Sequence, residues 1–591
     1  MKFNKEQQSA INSIDGLVQV ISCAGSGKTT TLIERVNQMC LSGIPQPEIL
    51  VISFTNASAR ELKNKLANNG LENVTVGTFH SICRSLLEDC GYDDLMKQPN
   101  RYQIKRLIED ELGLKNINMN EILSWISYQK NYGHDAYSEL FEEKETNYST
   151  YELRRCFSLY ENYKKYTNCY DFDDWLIETL INYKNNICNK TWSYLCLDES
   201  QDSNSIQYQL INLWCPKKNI FIVGDKNQSL YRFRGAVPEL FETYPDENIG
   251  TKVINMNTNY RSCRNIVENA NNFIRPYNYG YKYYKDAVAF NDRDGKIIPL
   301  VVEDKEDEAL YVVSSIKRLL KQGKNPSDIA IIYRNNSMPD YVENMLKANN
   351  IDYKLFSDSS FFDKKEIKGI VSILRLVNDF TDDEAFEYIF TTLRCNPVKY
   401  FKNSLIDELK VESGKRNYSL YEAFIDYRFK LDWQRRNQQM FIDFIDRLRI
   451  QKEKKLSPSK IMENIFKIFR IDEMIKENYE YSTWQDKYDS LENLYDMGKG
   501  PTVEAFIRFT EMKPVKKSAD ANCISLMTIH ASKGLEFDTV FVIGLQDGKF
   551  PCPRSPIEDE ARIFYVAITR AKENLYITSI DNSQFYDEYV G

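Results

Sequence analysis

Short apolar runs alternate with helix-like stretches along most of this chain. In the first part of the chain the runs fall at 18–21, 49–53, 74–77, 194–197, 220–223 and 252–254. In the second part they fall at 298–302, 329–333, 524–528, 540–543 and 575–578. Alternation of short buried strands with helices is typical of a parallel sheet that helices cover on both faces. The pattern therefore predicts an α/β fold with two such sheet domains.

Two long stretches interrupt this alternation, and both have the pattern of helices. The stretch at about 86–190 is also rich in tyrosine, tryptophan and charge, and the short segment 514–518 has the composition of a solvated connection. We interpret each long stretch as a mostly helical insertion into a sheet domain. The predicted units are 1–85 with 191–265 (first sheet domain), 86–190 (its insertion), 266–378 with 515–591 (second sheet domain) and 379–514 (its insertion).

The composition is that of a globular protein with several domains. The chain has 591 residues, of which 42% are hydrophobic and 27% charged, and no apolar run approaches the roughly 18 residues of a membrane span. The first residues carry no apolar stretch of the secretory type. The 13 cysteines are scattered without a Cys-x-x-Cys pair, so we expect reduced thiols and a cytoplasmic protein. The net charge of −8 weakens the case for a nucleic-acid partner, although a local basic groove would suffice.

A glycine-rich loop follows the first apolar run, with the sequence Ser22-Cys23-Ala24-Gly25-Ser26-Gly27-Lys28-Thr29. Apolar residues at helical spacing come next, so the loop joins a strand to a helix. In this context backbone N–H groups and the positive end of the helix attract phosphate groups. Lys28 would reach the β- and γ-phosphates, and the Thr29 hydroxyl would hold magnesium. Ser22 stands where such loops usually begin with glycine, and a plain structural turn is the alternative. The expected nucleotide contacts are Ala24, Gly25, Ser26, Gly27, Lys28, Thr29 and Thr30.

An apolar strand that ends in two acids is the expected partner of a phosphate-binding loop. The run Tyr194–Leu197 is followed directly by Asp198 and Glu199. Asp198 would hold magnesium, and Glu199 would polarise the attacking water as a general base. The alternative is an acidic strand end at the surface, which the upstream loop makes the weaker interpretation.

These acids belong to the block Asp198-Glu199-Ser200-Gln201-Asp202, which resembles the Asp-Glu-x-Gln-Asp signature of superfamily 1A DNA helicases, the UvrD/Rep/PcrA group. Further blocks resemble other motifs of that family, in the family's order. They lie at 3–8, 54–56, 78–81, 171–174, 224–236, 259–262, 333–336, 361–368, 528–537 and 565–571. One block alone is a weak match, but the full ordered set is specific. The resemblance implies two RecA-like domains with ATP bound between them.

The resemblance also implies roles in the ATP site. Gln7 would read the adenine edge, since an amide carries both a donor and an acceptor, and Tyr260 would stack on the adenine face. Glu536 would accept a hydrogen bond from the ribose.

Three further residues would act on the γ-phosphate. Arg261 and Arg570 would approach it from the far side of the cleft and stabilise the charge of the transferring group. Gln228 would touch the γ-phosphate and report its loss to the DNA groove. For an isolated arginine we would favour a surface ion pair, and the matched blocks favour the catalytic role instead.

The DNA track is assigned by the same resemblance. Phe54, Tyr231 and Phe233 match positions where family members stack on bases, although Phe54 could instead be a core residue. The remaining expected DNA contacts are Thr78, His80, Thr528 and His530. A structural role is the alternative for both histidines.

The resemblance implies an ATP-dependent DNA helicase, with ATP and Mg²⁺ as cofactors, that moves 3′→5′ on single-stranded DNA and unwinds duplex DNA in repair, replication or recombination. A second hypothesis is a DNA-stimulated ATPase that serves as a sensor subunit of an antiphage defence complex. A small-molecule kinase is a third, which the two distant arginine motifs disfavour. We expect single-stranded and duplex DNA as partners, a protein partner at 379–514, and a monomer or dimer.

Overall fold

The computed structural model describes residues 2–92, 95, 97–356, 360–416, 418–511, 522–581 and 583–590. The predicted connection at 514–518 lies outside these residues. Up to residue 291 the elements are α1 (Lys5–Asn12), β1 (Val18–Ser22), α2 (Lys28–Leu41), β2 (Ile49–Ile52), α3 (Asn56–Ala67), β3 (Thr75–Gly77), α4 (Phe79–Asp89), α5 (Arg101–Leu112), α6 (Met119–Asn131), α7 (Thr150–Thr167), α8 (Phe172–Lys184), β4 (Tyr194–Leu197), α9 (Ser205–Trp214), β5 (Ile220–Gly224), α10 (Pro238–Glu247), β6 (Lys252–Met256), β7 (Thr258–Cys263), α11 (Arg264–Ile274) and β8 (Val288–Asn291).

The later elements follow in the same order. They are β9 (Lys296–Val302), α12 (Lys305–Lys321), β10 (Ile329–Tyr333), α13 (Asp340–Ala348), β11 (Tyr353–Leu355), α14 (Lys365–Asn378), α15 (Asp383–Tyr388), α16 (Ser404–Arg416), α17 (Leu420–Asp426), α18 (Asp432–Glu453), α19 (Pro458–Ile468), α20 (Ile471–Asn478), α21 (Trp484–Met497), α22 (Val503–Thr510), β12 (Ile524–Thr528), β13 (Phe537–Leu545), α23 (Ile557–Ile568), β14 (Ala571–Ile580) and α24 (Gln584–Val590).

The first sheet has the strand order β3-β2-β4-β5-β1-β6, and all its pairs are parallel. In its centre Val20 lies beside Val223 on one side and Ile254 on the other. Helices cover both faces of a parallel sheet, which is why its strands are continuous apolar runs rather than alternating patterns. The carboxyl ends of these strands meet at one edge, and there the predicted loop and acids follow β1 and β4.

The second sheet has the order β11-β12-β10-β13-β14-β9, and it is also parallel throughout. Strands β12, β13 and β14 join it after the helices α14–α22. The predicted α/β class with two parallel sheets is therefore confirmed. The pattern missed β11, which has only three residues. It also missed the short parallel pair β7–β8, which lies outside both large sheets.

The helices between the strands build apolar cores of their own. In one core Ile122 of α6 packs with Phe157 of α7, and in another Phe424 packs with Phe441. Helix α8 behaves differently, because its Trp175 belongs to the core beneath the first sheet. None of the described helices has the length and apolar character needed to cross a bilayer.

One cysteine pair differs from the expectation of reduced thiols. Cys90, directly after α4, is joined by a disulfide to Cys188, which lies shortly after α8. The two Cα atoms are 6.4 Å apart, and 98 positions separate the residues in sequence. Such a separation leaves no local signal, so the sequence pattern could not show this contact.

Candidate functional site

The glycine-rich loop takes the conformation that a phosphate-binding loop requires. Strand β1 ends at Ser22, whose hydroxyl donates to the Gly224 carbonyl at 2.7 Å, so serine is accommodated at the first position. Gly25 and Gly27 have φ of 69° and 78°, a region that favours glycine. A Cβ added to Gly25 would lie 2.7 Å from Cβ of Arg261. Glycine therefore permits the loop to approach Arg261 closely.

The loop is suited to an anionic ligand. Helix α2 begins at Lys28, so its unpaired N–H groups and positive dipole end face the loop. Ala24 and Ser26 are buried, and the Ser26 hydroxyl has no hydrogen-bond partner within the described residues. Thr29 and Thr30 follow in the first turn of α2, and Thr29 is the less exposed of the two. These features fit a bound phosphate chain.

The two acids after β4 differ in their ionisation. Burial and the neighbouring Glu199 raise the pKa of Asp198. Burial opposes ionisation of Glu199 too, but the cations of Lys28 and Lys533 outweigh it and lower the pKa of this carboxyl. Glu199 also has φ of 51°, a strained conformation for a non-glycine residue, and its carboxylate accepts a hydrogen bond from Gln201 at 2.6 Å. Glu199 is therefore a positioned carboxylate, as a general base must be.

A buried arginine of the second sheet domain reaches the first. Arg570 is 1% exposed, and its Nη2 donates to Oε1 of Gln228 at 3.4 Å. The Gln228 amide donates in turn to Asp225 at 2.6 Å. Burial and the nearby Arg261 lower the pKa of Arg570 to about 9, so the guanidinium stays charged at neutral pH. Charge and position make Arg570 available to a phosphate group at the loop.

Arg261 also spans the two domains. Its Nε donates to Glu536 at 2.8 Å and its Nη1 to the Thr569 carbonyl at 3.0 Å, while its Cβ faces Gly25. Glu536 additionally pairs with Lys572 at 2.8 Å. The structure thus brings Arg261 to the loop and Arg570 to Gln228, with Glu536 engaged by protein cations.

The predicted adenine contacts lie at the same loop. The Gln7 amide donates to the Ser26 carbonyl at 3.1 Å and accepts from the Asn4 backbone N–H at 3.0 Å. Tyr260 is 38% exposed, and its N–H donates to the Gly25 carbonyl at 2.9 Å. The Tyr260 ring lies 4.9 Å from that of Phe290. Gln7 therefore contacts the loop through its side-chain amide.

Sequence reasoning missed Lys533, which links several of these groups. Its Nζ donates to the Gln228 carbonyl at 2.8 Å and forms an ion pair with Asp202. The same atom lies 4.0 Å from the Glu199 carboxylate and 5.1 Å from the centre of the Tyr231 ring. One cation of the second domain therefore lies close to the acids that follow β4, to Gln228 and to the ring of Tyr231. Lys533 lies inside the motif-like block 528–537, and this position could have marked it as a functional residue.

A groove of about 1450 Å³ runs beside the first sheet domain. Five predicted DNA-binding residues line it: Phe54, Thr78, His80, Tyr231 and Phe233. The Phe54 ring stacks on that of Tyr231 with centroids 4.7 Å apart, whereas Phe233 is 54% exposed. Exposed rings in such a groove can stack on bases. Phe54 is only partly buried, so it is not the core residue of the alternative interpretation.

The other two predicted DNA contacts lie at the end of β12. The His530 ring is 5.6 Å from that of Phe233, and the Thr528 hydroxyl accepts from the Ala531 N–H at 3.3 Å. Burial lowers the pKa of His80 to about 4. Burial, together with Arg334 and other cations, lowers the pKa of His530 to about 3. Both imidazoles are therefore neutral at pH 7 and can donate a hydrogen bond without adding charge.

The groove is lined by four basic and four acidic side chains, the acids being Asp171, Asp173, Asp202 and Glu480. Cations that sequence reasoning did not single out line it: Arg84, Arg101, Lys144 and Arg234. Two of its acids are paired, Asp202 with Lys533, and Asp171 with Lys130 and Lys164. A net charge of −8 is thus compatible with an anionic polymer in this groove.

Comparison with known proteins gives matches over nearly the whole chain. Residues 3–248 match the UvrD/REP helicase N-terminal domain, and residues 254–582 match the UvrD-like helicase C-terminal domain. The protein named ATP-dependent DNA helicase PcrA from Staphylococcus epidermidis is 29% identical over 615 residues, which cover 98% of this chain and 83% of that protein. The protein of the same name from Staphylococcus aureus is 29% identical over 616 residues, with the same coverage. The two matched domains together with the nucleotide loop show that this chain belongs to the UvrD-like helicase family.

Proposed function

We propose that this chain is an ATP-dependent DNA helicase that moves 3′→5′ on single-stranded DNA and unwinds duplex DNA. The observation that carries the proposal is the contact of Arg570 with Gln228 across the two sheet domains, beside the loop that begins α2. The similarity to two proteins named ATP-dependent DNA helicase PcrA supports DNA unwinding driven by ATP. The direction comes from the family resemblance of the motifs.

ATP would bind with its phosphates on the loop and its base near Tyr260. The Gln7 amide would leave the Ser26 carbonyl and bind the adenine edge. The Glu536 carboxylate would leave Arg261 and accept a hydrogen bond from the ribose. Thr29 and Asp198 would hold Mg²⁺, which neutralises phosphate charge when bound. The partner-less Ser26 hydroxyl and the raised pKa of Asp198, which a cation would reverse, fit these roles.

The chain's own residues would then direct hydrolysis. Glu199 is ionised and held by Gln201, so it can accept the proton of the attacking water. Lys28, Arg261 and Arg570 would stabilise the charge that develops on the γ-phosphate oxygens. Gln228 lies between Asp225 and Arg570, where it would sense whether this phosphate is present.

Movement would follow from the position of the site between two domains. ATP bound to groups of both domains favours their closed arrangement, and loss of the γ-phosphate removes that preference. Lys533 contacts the Gln228 carbonyl and the Tyr231 ring, so it is placed to transmit the change to the groove. Bases stacked on Tyr231 and Phe233 would be held by about 1–3 kcal/mol each and released in turn.

We further propose that the two sheet domains and the two insertions have different roles. The sheet domains 1–85 with 191–265 and 266–378 with 515–591 would form the motor. The insertions 86–190 and 379–514 would contact DNA or a protein partner. Residues of both insertions line the groove, including Tyr128 and Tyr479, which supports their involvement with DNA.

Unwinding of tailed duplexes tests the proposal. Duplexes with a 3′ or a 5′ single-stranded overhang are incubated with the protein, with and without ATP, while phosphate release is measured in parallel. We expect ATP-dependent strand separation with the 3′ overhang and little with the 5′ overhang. Hydrolysis stimulated by DNA without strand separation would contradict helicase activity and support the sensor hypothesis. Unwinding of the 5′-tailed duplex alone would contradict the direction.

A further inference from the structure

Helices α4 and α8 lie side by side and run in the same direction. Near their N-terminal ends the His80 and Phe172 rings are 6.5 Å apart, and both residues line the groove. At the opposite ends the Cys188 sulfur lies 3.9 Å from the Leu86 carbonyl, and Cys90 and Cys188 are joined. The cysteine pair therefore fastens the two helices at the ends that point away from the groove.

Helix α8 also holds the preceding helices of the insertion. Asp171 caps its N-terminus and, with Asp174, forms ion pairs with Lys130 and Lys164. All four side chains are at most 16% exposed. Lys130 lies on α6 and Lys164 on α7. A movement of α8 relative to α4 would therefore carry the insertion with it, because breaking such a buried ion network is costly.

We propose that Cys90 and Cys188 form a reversible oxidation site that fastens the base of the insertion to the first sheet domain. Their Cα separation of 6.4 Å lies within the range that a disulfide spans without moving the backbone. Cys90 is half-buried and accessible to a small reagent, whereas Cys188 is 4% exposed. The bond encloses the whole of α5–α8, so it closes the insertion at its entry and exit.

The oxidant is a low-molecular-weight disulfide such as oxidised glutathione. The Cys90 thiolate attacks one sulfur of this disulfide, and a mixed disulfide forms as one small thiolate leaves. The Cys188 thiolate then attacks the Cys90 sulfur and expels the second small thiolate. The two protons lost by the cysteines end on the two released thiols. Two protein thiols are oxidised and one small disulfide is reduced, and excess dithiol reverses the sequence.

Oxidation should restrict opening between the helix ends. With the thiols reduced, the C-terminal turns of α4 and α8 are held together by packing and by the Tyr92 hydroxyl, which accepts from Asn182 at 3.0 Å. A covalent bond removes the open states in which these ends separate. Amide hydrogens in 181–188 should therefore exchange more slowly in the oxidised protein, by about tenfold or more. This inference does not depend on the proposed helicase activity.

The test uses the full chain incubated with oxidised glutathione and then with dithiothreitol. Peptide mass spectrometry is expected to detect a linked pair of peptides containing Cys90 and Cys188, and dithiothreitol should remove it. Hydrogen exchange of 181–188 is measured in both states. Cys90→Ser should abolish both the linked peptide pair and the slower hydrogen exchange. Cys188→Ala is a second variant with the same expected result, which covers the case that serine at position 90 disturbs α4. Cys40→Ser, at a half-buried cysteine elsewhere in the same domain, serves as the matched control and should leave both unchanged.

Three results would overturn the inference. One is a protein whose Cys90 and Cys188 stay reduced under oxidised glutathione. Another is a link from Cys90 to a different cysteine. The third is a Cys90–Cys188 bond that leaves exchange in 181–188 unchanged.

Discussion

Replacement of Lys533 by methionine would remove one buried charge between the two sheet domains while keeping the length of the side chain. The Lys533 side chain is 11% exposed and that of its partner Asp202 is fully buried. Removing one partner of a buried ion pair costs about 3–5 kcal/mol, because the other charge is left unpaired. Burial already raises the pKa of Asp202 to about 6, so this carboxyl can take up a proton and avoid part of the cost. We therefore expect the lower end, about 3 kcal/mol.

A loss of about 3 kcal/mol in the closed, catalytic arrangement corresponds to roughly 100-fold in kcat/KM for ATP. The assay is phosphate release at saturating single-stranded DNA for the parent, Lys533→Met, Asp202→Asn and the double variant. Once either partner is gone, the second substitution removes little more. The double variant should therefore lose far less than the product of the two single losses, with a coupling energy of about 2 kcal/mol or more.

Lys549 provides the matched control. It pairs with Asp489 at 3.7 Å and its side chain is 31% exposed, so water already screens that pair. Lys549→Met should change kcat/KM by no more than about twofold. Near-parental activity of Lys533→Met, or strictly multiplicative effects of Lys533→Met and Asp202→Asn, would show that this ion pair does not support catalysis.

Three further substitutions distinguish nucleotide binding, ATP hydrolysis and the coupling of hydrolysis to unwinding. Lys28→Ala should abolish hydrolysis because it removes the cation at the start of α2, and parental phosphate release would disprove the loop as the ATP site. Glu199→Gln should keep nucleotide binding, measured by equilibrium titration, and lose turnover; retained turnover would exclude Glu199 as the base. Phe233→Ala should reduce base pairs unwound per ATP more than ATP affinity, since the exposed ring stacks on DNA, and an unchanged ratio would argue against that role.

Most strands of the two sheets were predictable because they are short apolar runs. The run 329–333, for example, coincides with β10, which is buried on both faces. The loop was equally clear, since Gly25 and Gly27 occupy conformations that few other residues adopt. Strand β11 was not, because the exposed Lys354 interrupts its apolar residues and none of the three is buried. Local pattern thus predicts strands that are apolar and buried.

Long-range pairings were the part that the sequence could not specify. Nothing local links Lys533 to Asp202, or Cys90 to Cys188, because these contacts exist only after distant strands and helices have packed. Gln7 shows a second limit of prediction from the sequence. Its amide was assigned to adenine by resemblance, yet it donates to the Ser26 carbonyl, a bond that depends on the folded conformation of the loop.

If one nucleotide is held by groups of both sheet domains, Arg570→Lys should slow hydrolysis far more than it weakens ATP binding. Lysine keeps the charge but cannot make the same set of contacts to Gln228 and the γ-phosphate. Single-turnover hydrolysis is measured beside ATP binding, with thermal unfolding to verify the fold. We expect hydrolysis to fall by about 1000-fold while ATP affinity changes by less than about tenfold. Hydrolysis at the parental rate by a folded Arg570→Lys protein would contradict the proposal that both domains hold the nucleotide.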